Sequence, residues 1–194
     1  MKKLPEELRM SIFLIVLTTI CTVSLTAGNL MYMRVLAEQE REMRMDILKG
    51  FGVSFTKDTF DSIFKEFVEV RKESTGTYYF YEGSPRLVSV ITEGSGLWSI
   101  IEIFFSINLD TFRMQELKVI SHGETPGLGG RIEEPWFAEQ FEDLDVSKGV
   151  SLVAKTTGAP GEVDAISGAS RTSEGVMAII NKAITTLQNS MNPK

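Results

Sequence analysis

The sequence predicts an α+β protein in which one membrane-spanning helix precedes a single domain built on an antiparallel sheet with packed helices. Three observations predict it: an uncharged apolar run near the N-terminus, several short segments rich in β-branched and aromatic residues, and a C-terminal segment with helical apolar spacing. A chain of 194 residues is long enough for one domain with a hydrophobic core and an appended segment. The sequence contains no internal repeat, so we expect a single domain after the membrane helix.

The first element is the predicted membrane helix at residues 11–33, which contain no charged side chain. Residues 12–23 are almost all aliphatic, with a few threonines whose hydroxyls can bond to the preceding helical turn. Such a helix is long enough to cross a hydrocarbon core of about 30 Å. We therefore expect a tail at residues 1–10 and a single-pass membrane protein.

A cleaved signal peptide is the alternative for this segment. Lys2 and Lys3 precede the apolar run, and Ala27 and Gly28 are small residues near its end. Against this alternative, the run is long for a signal sequence and contains no A-x-A cleavage site. Basic residues occur on both sides of the run, so their distribution leaves the orientation in the membrane open.

The next segment, residues 34–50, is charged and contains no Pro, and its only Gly is the last residue. This composition predicts a solvated helical stalk that continues out of the bilayer. Residues 51–194 would then form the domain. In that domain, Asp58 and Thr59 are expected to cap a helix whose apolar face comprises Phe60, Ile63, Phe64, Phe67 and Val70.

The sheet is predicted from four segments separated by Gly, Pro or Asp, at residues 77–81, 87–92, 100–109 and 114–121. After them, apolar residues recur at helical positions, namely Val176, Ile179, Ile180, Ala183, Ile184 and Leu187. We expect this last helix to pack on the sheet.

Composition excludes several classes of function. The net charge of −6 provides no basic surface for a nucleic-acid backbone. Cys21 is the only cysteine and His122 the only histidine, which excludes an intramolecular disulfide, a cysteine-based cluster and a multi-histidine zinc site. We therefore predict no metal site, and a redox role would require a bound organic cofactor.

A hydroxyl-rich turn with one glycine, residues 164–173, leads directly into the last helix. The N-terminus of a helix presents N–H groups without partners and the positive end of a dipole, which together attract a phosphate. Gly168 would allow an anion to approach the backbone, and Ser167, Ser170, Thr172 and Ser173 would supply further donors. Plain N-capping of the helix by one of these hydroxyls is the alternative.

The same turn resembles the S/T-G-A-T-x-T-S flavinylation motif of the family that contains the G subunit of Rnf complexes and the C subunit of the NADH:quinone reductase. Residues 94–99 (GSGLWS) and 122–129 (HGETPGLG) agree with this family as well. The resemblance implies one covalent FMN, held as a phosphoester on Ser170 where the family usually has threonine. It implies that the cofactor site also includes Ser167, Gly168, Ala169, Thr172 and Ser173.

The glycine-rich run forms the second half of the expected site. Its proline, Pro126, and its glycines force a tight loop with exposed backbone, and the resemblance implies that this loop faces the isoalloxazine ring. The residues assigned to this contact are Glu124, Thr125, Gly127, Leu128 and Gly129. A structural turn is the alternative. We expect His122 to be a hydrogen-bonded structural residue, whereas Trp98 could flank the ring or fill the core.

The resemblance implies an electron-carrier subunit of an Rnf-type, ion-translocating ferredoxin:NAD⁺ oxidoreductase, with no catalytic residue of its own. The C subunit of the Na⁺-translocating NADH:quinone reductase is the alternative. The implied partners are other membrane subunits and a flavin transferase, and the implied location is the inner membrane with the domain outside the cytoplasm. Two other classes remain: a membrane-tethered binding module without flavin, and a serine hydrolase, which the absence of a G-x-S-x-G motif disfavours.

Overall fold

A computed structural model describes residues 5–191, which divide into two compact units between Ser54 and Phe55. Lys2 and Lys3, which bear on the signal-peptide alternative, lie outside the described residues, as do residues 192–194 of the expected domain.

The first unit contains one long helix, α1, which spans Glu6–Gly50. It is long and apolar enough to cross a membrane, with a mean hydropathy of 2.1 over its most apolar window. Its threonine hydroxyls donate to the preceding turn, as in the 2.8 Å bond from Thr22 to the Thr18 carbonyl. The helix begins within the segment expected to be a tail. It continues without a break through the segment expected to be a stalk.

The second unit is built on a five-stranded antiparallel sheet in the order β1-β2-β3-β4-β5, so that strands adjacent in sequence are adjacent in space. The strands are β1 (Val68–Glu73), β2 (Gly76–Tyr81), β3 (Leu87–Ser95), β4 (Ile100–Asn108) and β5 (Arg113–Ser121). All four predicted strands are confirmed, as β2 to β5. β1 was not predicted, because its charged residues alternate with only two valines.

The helix before the sheet, α2, spans Phe60–Phe67, so the prediction that Val70 belongs to it was wrong. Val70 lies in β1 and pairs with Tyr79 of β2. A β-branched side chain opposite an aromatic one is a favourable cross-strand pair, and this pairing outweighs the helical spacing. Thr59 is the N-cap residue, but its hydroxyl bonds to Thr56 instead of to the first helical turn.

The C-terminal part returns to cover the sheet. It comprises a 3₁₀ helix (Gly129–Glu133), α3 (Pro135–Glu139), the parallel pair β6 (Ser151–Val153) and β7 (Glu162–Asp164), and α4 (Ser170–Met191). α4 packs on the sheet as predicted: the Tyr78 hydroxyl donates to the Ala183 carbonyl at 3.1 Å. The buried core between α4 and the sheet includes Val88, Val90, Ile101, Ile103, Phe105, Val176, Ile180 and Ala183.

Candidate functional site

The turn between β7 and α4 has the conformation that its glycine allows. Gly168 has φ +78°, in the left-handed region where side chains other than glycine are strained. The next N–H, that of Ala169, donates to the Ile166 carbonyl at 2.9 Å and closes the turn. Ala169 is buried below the turn, so Ser167 and Gly168 project outward at its tip.

Two of the four hydroxyls in this motif are buried and used within the protein. The Ser173 hydroxyl accepts from the Ile166 N–H at 3.2 Å and donates to the Ala169 carbonyl at 3.1 Å, which ties the turn to the helix. The Thr172 hydroxyl donates to Oε2 of Glu124 at 2.7 Å. Neither hydroxyl faces solvent, so neither is accessible to an external enzyme.

The other two hydroxyls, those of Ser167 and Ser170, are exposed and have no hydrogen-bond partner within residues 5–191. Ser170 is the first residue of α4. Its N–H and those of Arg171 and Thr172 likewise find no acceptor in the described part of the chain, whereas the Ser173 N–H bonds to the Ala169 carbonyl at 3.1 Å. The capping alternative is therefore not supported, since none of the described hydroxyls accepts a first-turn N–H of α4.

The Glu124 carboxylate lies at the centre of the site and is only 4% exposed. Its Oε1 accepts from the N–H groups of Trp98 and Ser99, at 2.9 and 3.1 Å, and from the Ser99 hydroxyl at 3.3 Å. Burial raises the pKa of this carboxyl, but the bonds from Thr172, Trp98 and Ser99 together outweigh burial and hold the pKa below its usual value. The carboxylate is therefore ionised at neutral pH.

Two glycines make room for this carboxylate. A Cβ on Gly129 would lie 2.6 Å from Oγ1 of Thr172 and 2.8 Å from Oε2 of Glu124, and a Cβ on Gly96 would lie 2.5 Å from Oε1 of Glu124. These separations are shorter than normal van der Waals contacts. The motif glycines at 96 and 129 are thus required by close packing around Glu124.

The glycine-rich loop, residues 124–130, presents one side to α4 and the other to solvent. The Thr125 carbonyl accepts from the N–H groups of Leu128 and Gly130, at 3.1 and 2.9 Å, and Gly127, which lies between Thr125 and Leu128, adopts φ +74°. The Thr125 side chain is exposed. Leu128 lies beside the turn between β7 and α4, since a Cβ on Gly168 would be 3.4 Å from its Cδ2. The structure therefore brings the two sequence motifs together.

Four large apolar side chains of these segments are exposed, and we call them the apolar rim: Leu97, Trp98, Ile100 and Leu128. Trp98 is 73% exposed, so it does not fill the core. Leu97 and Trp98 lie in the loop between β3 and β4 whose backbone is bonded to Glu124. Exposed apolar side chains that form one patch are typical of a surface that binds an apolar ligand or a partner.

His122 is hydrogen-bonded within the protein, as expected. Its Nδ1 accepts from the Glu124 N–H at 3.0 Å, and its side chain is 9% exposed. Its Nε2 lies 3.0 Å from Oε1 of Glu133 but is not aligned with it as a hydrogen bond. None of the described serine hydroxyls bonds to His122.

The sequence interpretation did not assign a role to Ser99, which completes the set of groups around Glu124. Besides its two bonds to Glu124, its hydroxyl accepts from the Gly123 N–H at 2.7 Å. Ser99 ends the Gly-Ser-Gly-Leu-Trp-Ser stretch that supports the family resemblance, so the signal was present. Within the described residues, no cluster of His, Cys, Asp or Glu side chains could hold a metal ion.

The segments that form this site lie within a region that matches a known protein family. Residues 96–185 match the family described as FMN-binding domain. The G subunit of the ion-translocating oxidoreductase complex of Methanosarcina acetivorans is 31% identical over 153 residues, which cover 76% of this chain and 74% of the relative.

The C subunit of the Na⁺-translocating NADH-quinone reductase also matches. The Vibrio alginolyticus protein is 28% identical over 163 residues, which cover 79% of this chain and 61% of the relative. The Vibrio anguillarum protein is 33% identical over 116 residues, which cover 55% of this chain and 46% of the relative. The chain thus matches less than two thirds of the length of either reductase protein.

The fold is that of two solved structures of this type. The crystal structure of Shewanella oneidensis NqrC matches with a TM-score of 0.56 at 19% identity, covering 75% of this chain and 91% of that chain. The corresponding reductase protein from Parabacteroides distasonis matches with a TM-score of 0.57 at 20% identity, covering 75% and 89%. These matches confirm the predicted α+β fold. The chain belongs to the FMN-binding family that includes the G subunit of ion-translocating oxidoreductase complexes and the C subunit of Na⁺-translocating NADH-quinone reductases.

Proposed function

We propose that Ser170 carries one FMN as a phosphoester and that the chain is the electron-carrier subunit of a membrane-bound, ion-translocating complex. One observation carries the proposal: Ser170 combines an exposed, unbonded hydroxyl with first-turn N–H groups that have no partner in residues 5–191. A phosphate esterified there would accept hydrogen bonds from the backbone and would be stabilised by the helix dipole.

The residues around Ser170 fit the two ends of FMN. The phosphate end fits the turn, because Gly168 has no side chain to block the N-terminus of α4. The ring end fits the apolar rim, where Leu128 lies beside Gly168 and offers an apolar surface to a planar aromatic group. The exposed hydroxyl of Thr125 is available to bond to a polar edge of the ring.

When bound, FMN supplies the capacity to accept and donate electrons singly or in pairs. The chain itself holds the phosphate at α4, orients the ring on the apolar rim and restricts loss of the cofactor through the ester bond. No other redox group is suggested by the side chains of the described residues. We therefore assign the chain a carrier function that depends on partner subunits for the donor and the acceptor of electrons.

Of the two complexes, we favour the ferredoxin:NAD⁺ oxidoreductase of the Rnf type. The match to the Methanosarcina acetivorans relative extends over 74% of that protein, whereas the match to the Vibrio alginolyticus reductase protein extends over 61%. The C subunit of the reductase is the second candidate, supported by the 33% identity of the Vibrio anguillarum protein over 116 residues. The partners would be integral membrane subunits, and the membrane helix would be α1.

Intact-protein mass spectrometry tests the cofactor assignment. The full chain would be produced in detergent with and without a co-expressed flavin transferase. We expect one FMN adduct with the transferase, located by peptide mapping to Ser170, and no adduct without it. The matched control is Ser167→Ala, which removes the other exposed hydroxyl and should still load. A wild-type chain that never acquires the adduct would support the flavin-free binding module instead.

A further inference from the structure

We propose that Glu124 is a positioning residue that holds the turn bearing Ser170 and the glycine-rich loop in the arrangement required for flavin attachment, without touching the flavin. This inference rests on the function proposed above. It assigns Glu124 a role different from the direct ring contact that the family resemblance implies.

The first argument is the capacity of the carboxylate for hydrogen bonds. An ionised carboxylate offers about four acceptor sites. Glu124 already accepts four bonds within the protein: two from the backbone of Trp98 and Ser99, one from the Ser99 hydroxyl and one from the Thr172 hydroxyl. Its exposed fraction is only 4%. Oε1 carries three of these bonds and Oε2 carries the fourth, so most of the acceptor capacity and nearly all of the surface of the carboxylate are used inside the protein.

The second argument is what these four bonds connect. Trp98 and Ser99 lie in the loop between β3 and β4, Glu124 begins the glycine-rich loop, and Thr172 lies in the first turn of α4. One side chain thus joins three segments, and the bond to Thr172 spans 48 residues of sequence. If the carboxylate were absent, two backbone N–H groups and a buried hydroxyl would lose their acceptor.

The third argument is the position of Thr172, two residues after Ser170 in the same helical turn. Fixing Thr172 against Glu124 fixes the rotation of α4 and therefore the direction in which the Ser170 hydroxyl points. The same bonds hold the backbone of Trp98, at the edge of the apolar rim. Flavin attachment requires the Ser170 hydroxyl and the surface that receives the ring to be correctly placed relative to each other. A displacement of about 1 Å can lower the rate of a reaction between positioned groups about a hundredfold.

The hydrogen bonds of Glu124 and Thr172 predict which substitutions should preserve the link between the two residues. In Glu124→Gln, the amide oxygen can replace Oε1, and the amide nitrogen can donate to the Thr172 hydroxyl, which is able to accept. Thr172→Ser retains the hydroxyl. Glu124→Ala removes all four bonds, and Thr172→Val removes only the bond between α4 and the loop. At each of the two positions, one substitution keeps the hydrogen bond between Glu124 and Thr172 and the other breaks it. Comparing them distinguishes a positioning role from a general intolerance of substitution at that position.

The experiment compares these four variants with wild type as full-length proteins in detergent. The first readout is the rate of FMN incorporation by added transferase, followed by mass spectrometry. We expect Glu124→Ala and Thr172→Val to load about ten to a hundred times more slowly. Glu124→Gln and Thr172→Ser should load within about threefold of wild type, because they retain the link. The control for loss of charge is Glu133→Gln, because Glu133 is an exposed glutamate at the end of the 3₁₀ helix. This variant should load at the wild-type rate.

The second readout is amide hydrogen exchange of the unloaded proteins. Peptides covering residues 165–173 and 124–130 should exchange faster than wild type in Thr172→Val and Glu124→Ala. In the two conservative variants, the same peptides should exchange at the wild-type rate. If Glu124→Ala does not fold, Thr172→Val still tests the link. This inference alone would be overturned if wild type takes up flavin and every disruptive variant that folds loads and exchanges at the wild-type rate. A wild-type chain that takes up no flavin would overturn the proposed function, and this inference with it.

Discussion

Thr172 donates a 2.7 Å hydrogen bond to Glu124, which joins the first turn of α4 to the glycine-rich loop across 48 residues of sequence. Both groups are buried, so this contact belongs to the interior of the site and not to its binding surface. The four hydroxyls within residues 167–173 thus fall into two classes. Thr172 and Ser173 are used for structure, whereas Ser167 and Ser170 face solvent.

The first prediction is that Ser170→Ala abolishes flavin attachment without unfolding the domain. The Ser170 hydroxyl makes no hydrogen bond within the described residues, so its removal should change the free energy of unfolding by at most about 0.5 kcal/mol. In-gel flavin fluorescence after denaturation, with the transferase co-expressed, would measure attachment, and circular dichroism would measure folding. Ser167→Ala should remain fluorescent. Fluorescence of Ser170→Ala would instead move the ester to Ser167.

The second prediction is that Thr125→Val changes the reduction potential of the bound flavin while attachment persists. The Thr125 side chain is exposed on the loop that we assign to the ring, and its loss would remove one hydrogen bond to the cofactor. If this bond is stronger by about 0.5 to 1.5 kcal/mol in one redox state of the flavin than in the other, its loss shifts the potential by about 10 to 30 mV for a two-electron couple. Potentiometric titration monitored by absorbance measures it. An unchanged potential would argue that the loop does not contact the ring.

The third prediction concerns acid stability. The bonds from Thr172 and from the backbone of Trp98 and Ser99 outweigh burial and lower the pKa of Glu124 in the folded protein. A carboxyl of this kind contributes stability above its unfolded pKa, about 4.3 for Glu, and loses that contribution as the pH falls through the folded pKa. Below about pH 4.5, wild type should therefore lose stability more steeply than Glu124→Gln.

Urea unfolding of the full chain in detergent at several pH values between about 7 and 3 would test this difference. Glu133→Gln, which removes an exposed carboxylate, should follow wild type. Parallel curves for wild type and Glu124→Gln would show that Glu124 does not contribute to the acid transition.

The fourth prediction is that Gly129→Ala destabilises the domain by about 1 to 3 kcal/mol, the usual cost of overpacking a tight site. The added Cβ would lie 2.6 Å from Oγ1 of Thr172 and 2.8 Å from Oε2 of Glu124, so the link between them must move. Thermal unfolding followed by circular dichroism measures the loss. Gly50→Ala is a matched control, since no heavy atom lies within 4 Å of its added Cβ. Equal melting temperatures for the two variants would contradict the packing argument.

The fifth prediction is that α1 is retained in the mature protein as a membrane helix and that the domain lies outside the cytoplasm. The helix is uncharged over residues 11–33, and the family resemblance implies this orientation. Protease added to intact spheroplasts should digest the domain, while a cytoplasmic marker protein remains intact. A domain that is protected until the membrane is opened would place it in the cytoplasm, and a shortened N-terminus in mass spectrometry would indicate cleavage.

Features that depend on local chemistry were predictable from the sequence. The apolar run of α1, the alternation in β2 to β5 and the helical spacing of α4 arise from neighbours a few residues apart, as does the turn at Gly168. β1 was missed because its sequence has few strand formers and its pairing partner, β2, supplies the aromatic residues that stabilise it. Short segments such as β6 and β7 have too few residues for a periodic pattern to emerge.

By itself, the sequence determined that an apolar helix precedes an α+β domain and that a hydroxyl-rich turn opens onto the last helix. Only the tertiary structure decided which of those hydroxyls is free and that Glu124 points inward to Thr172 and Ser99. The physical reason is that burial and hydrogen-bond partners depend on how distant segments pack. α4 must lie on the sheet in one rotation before Thr172 meets Glu124 and Ser170 is left facing solvent.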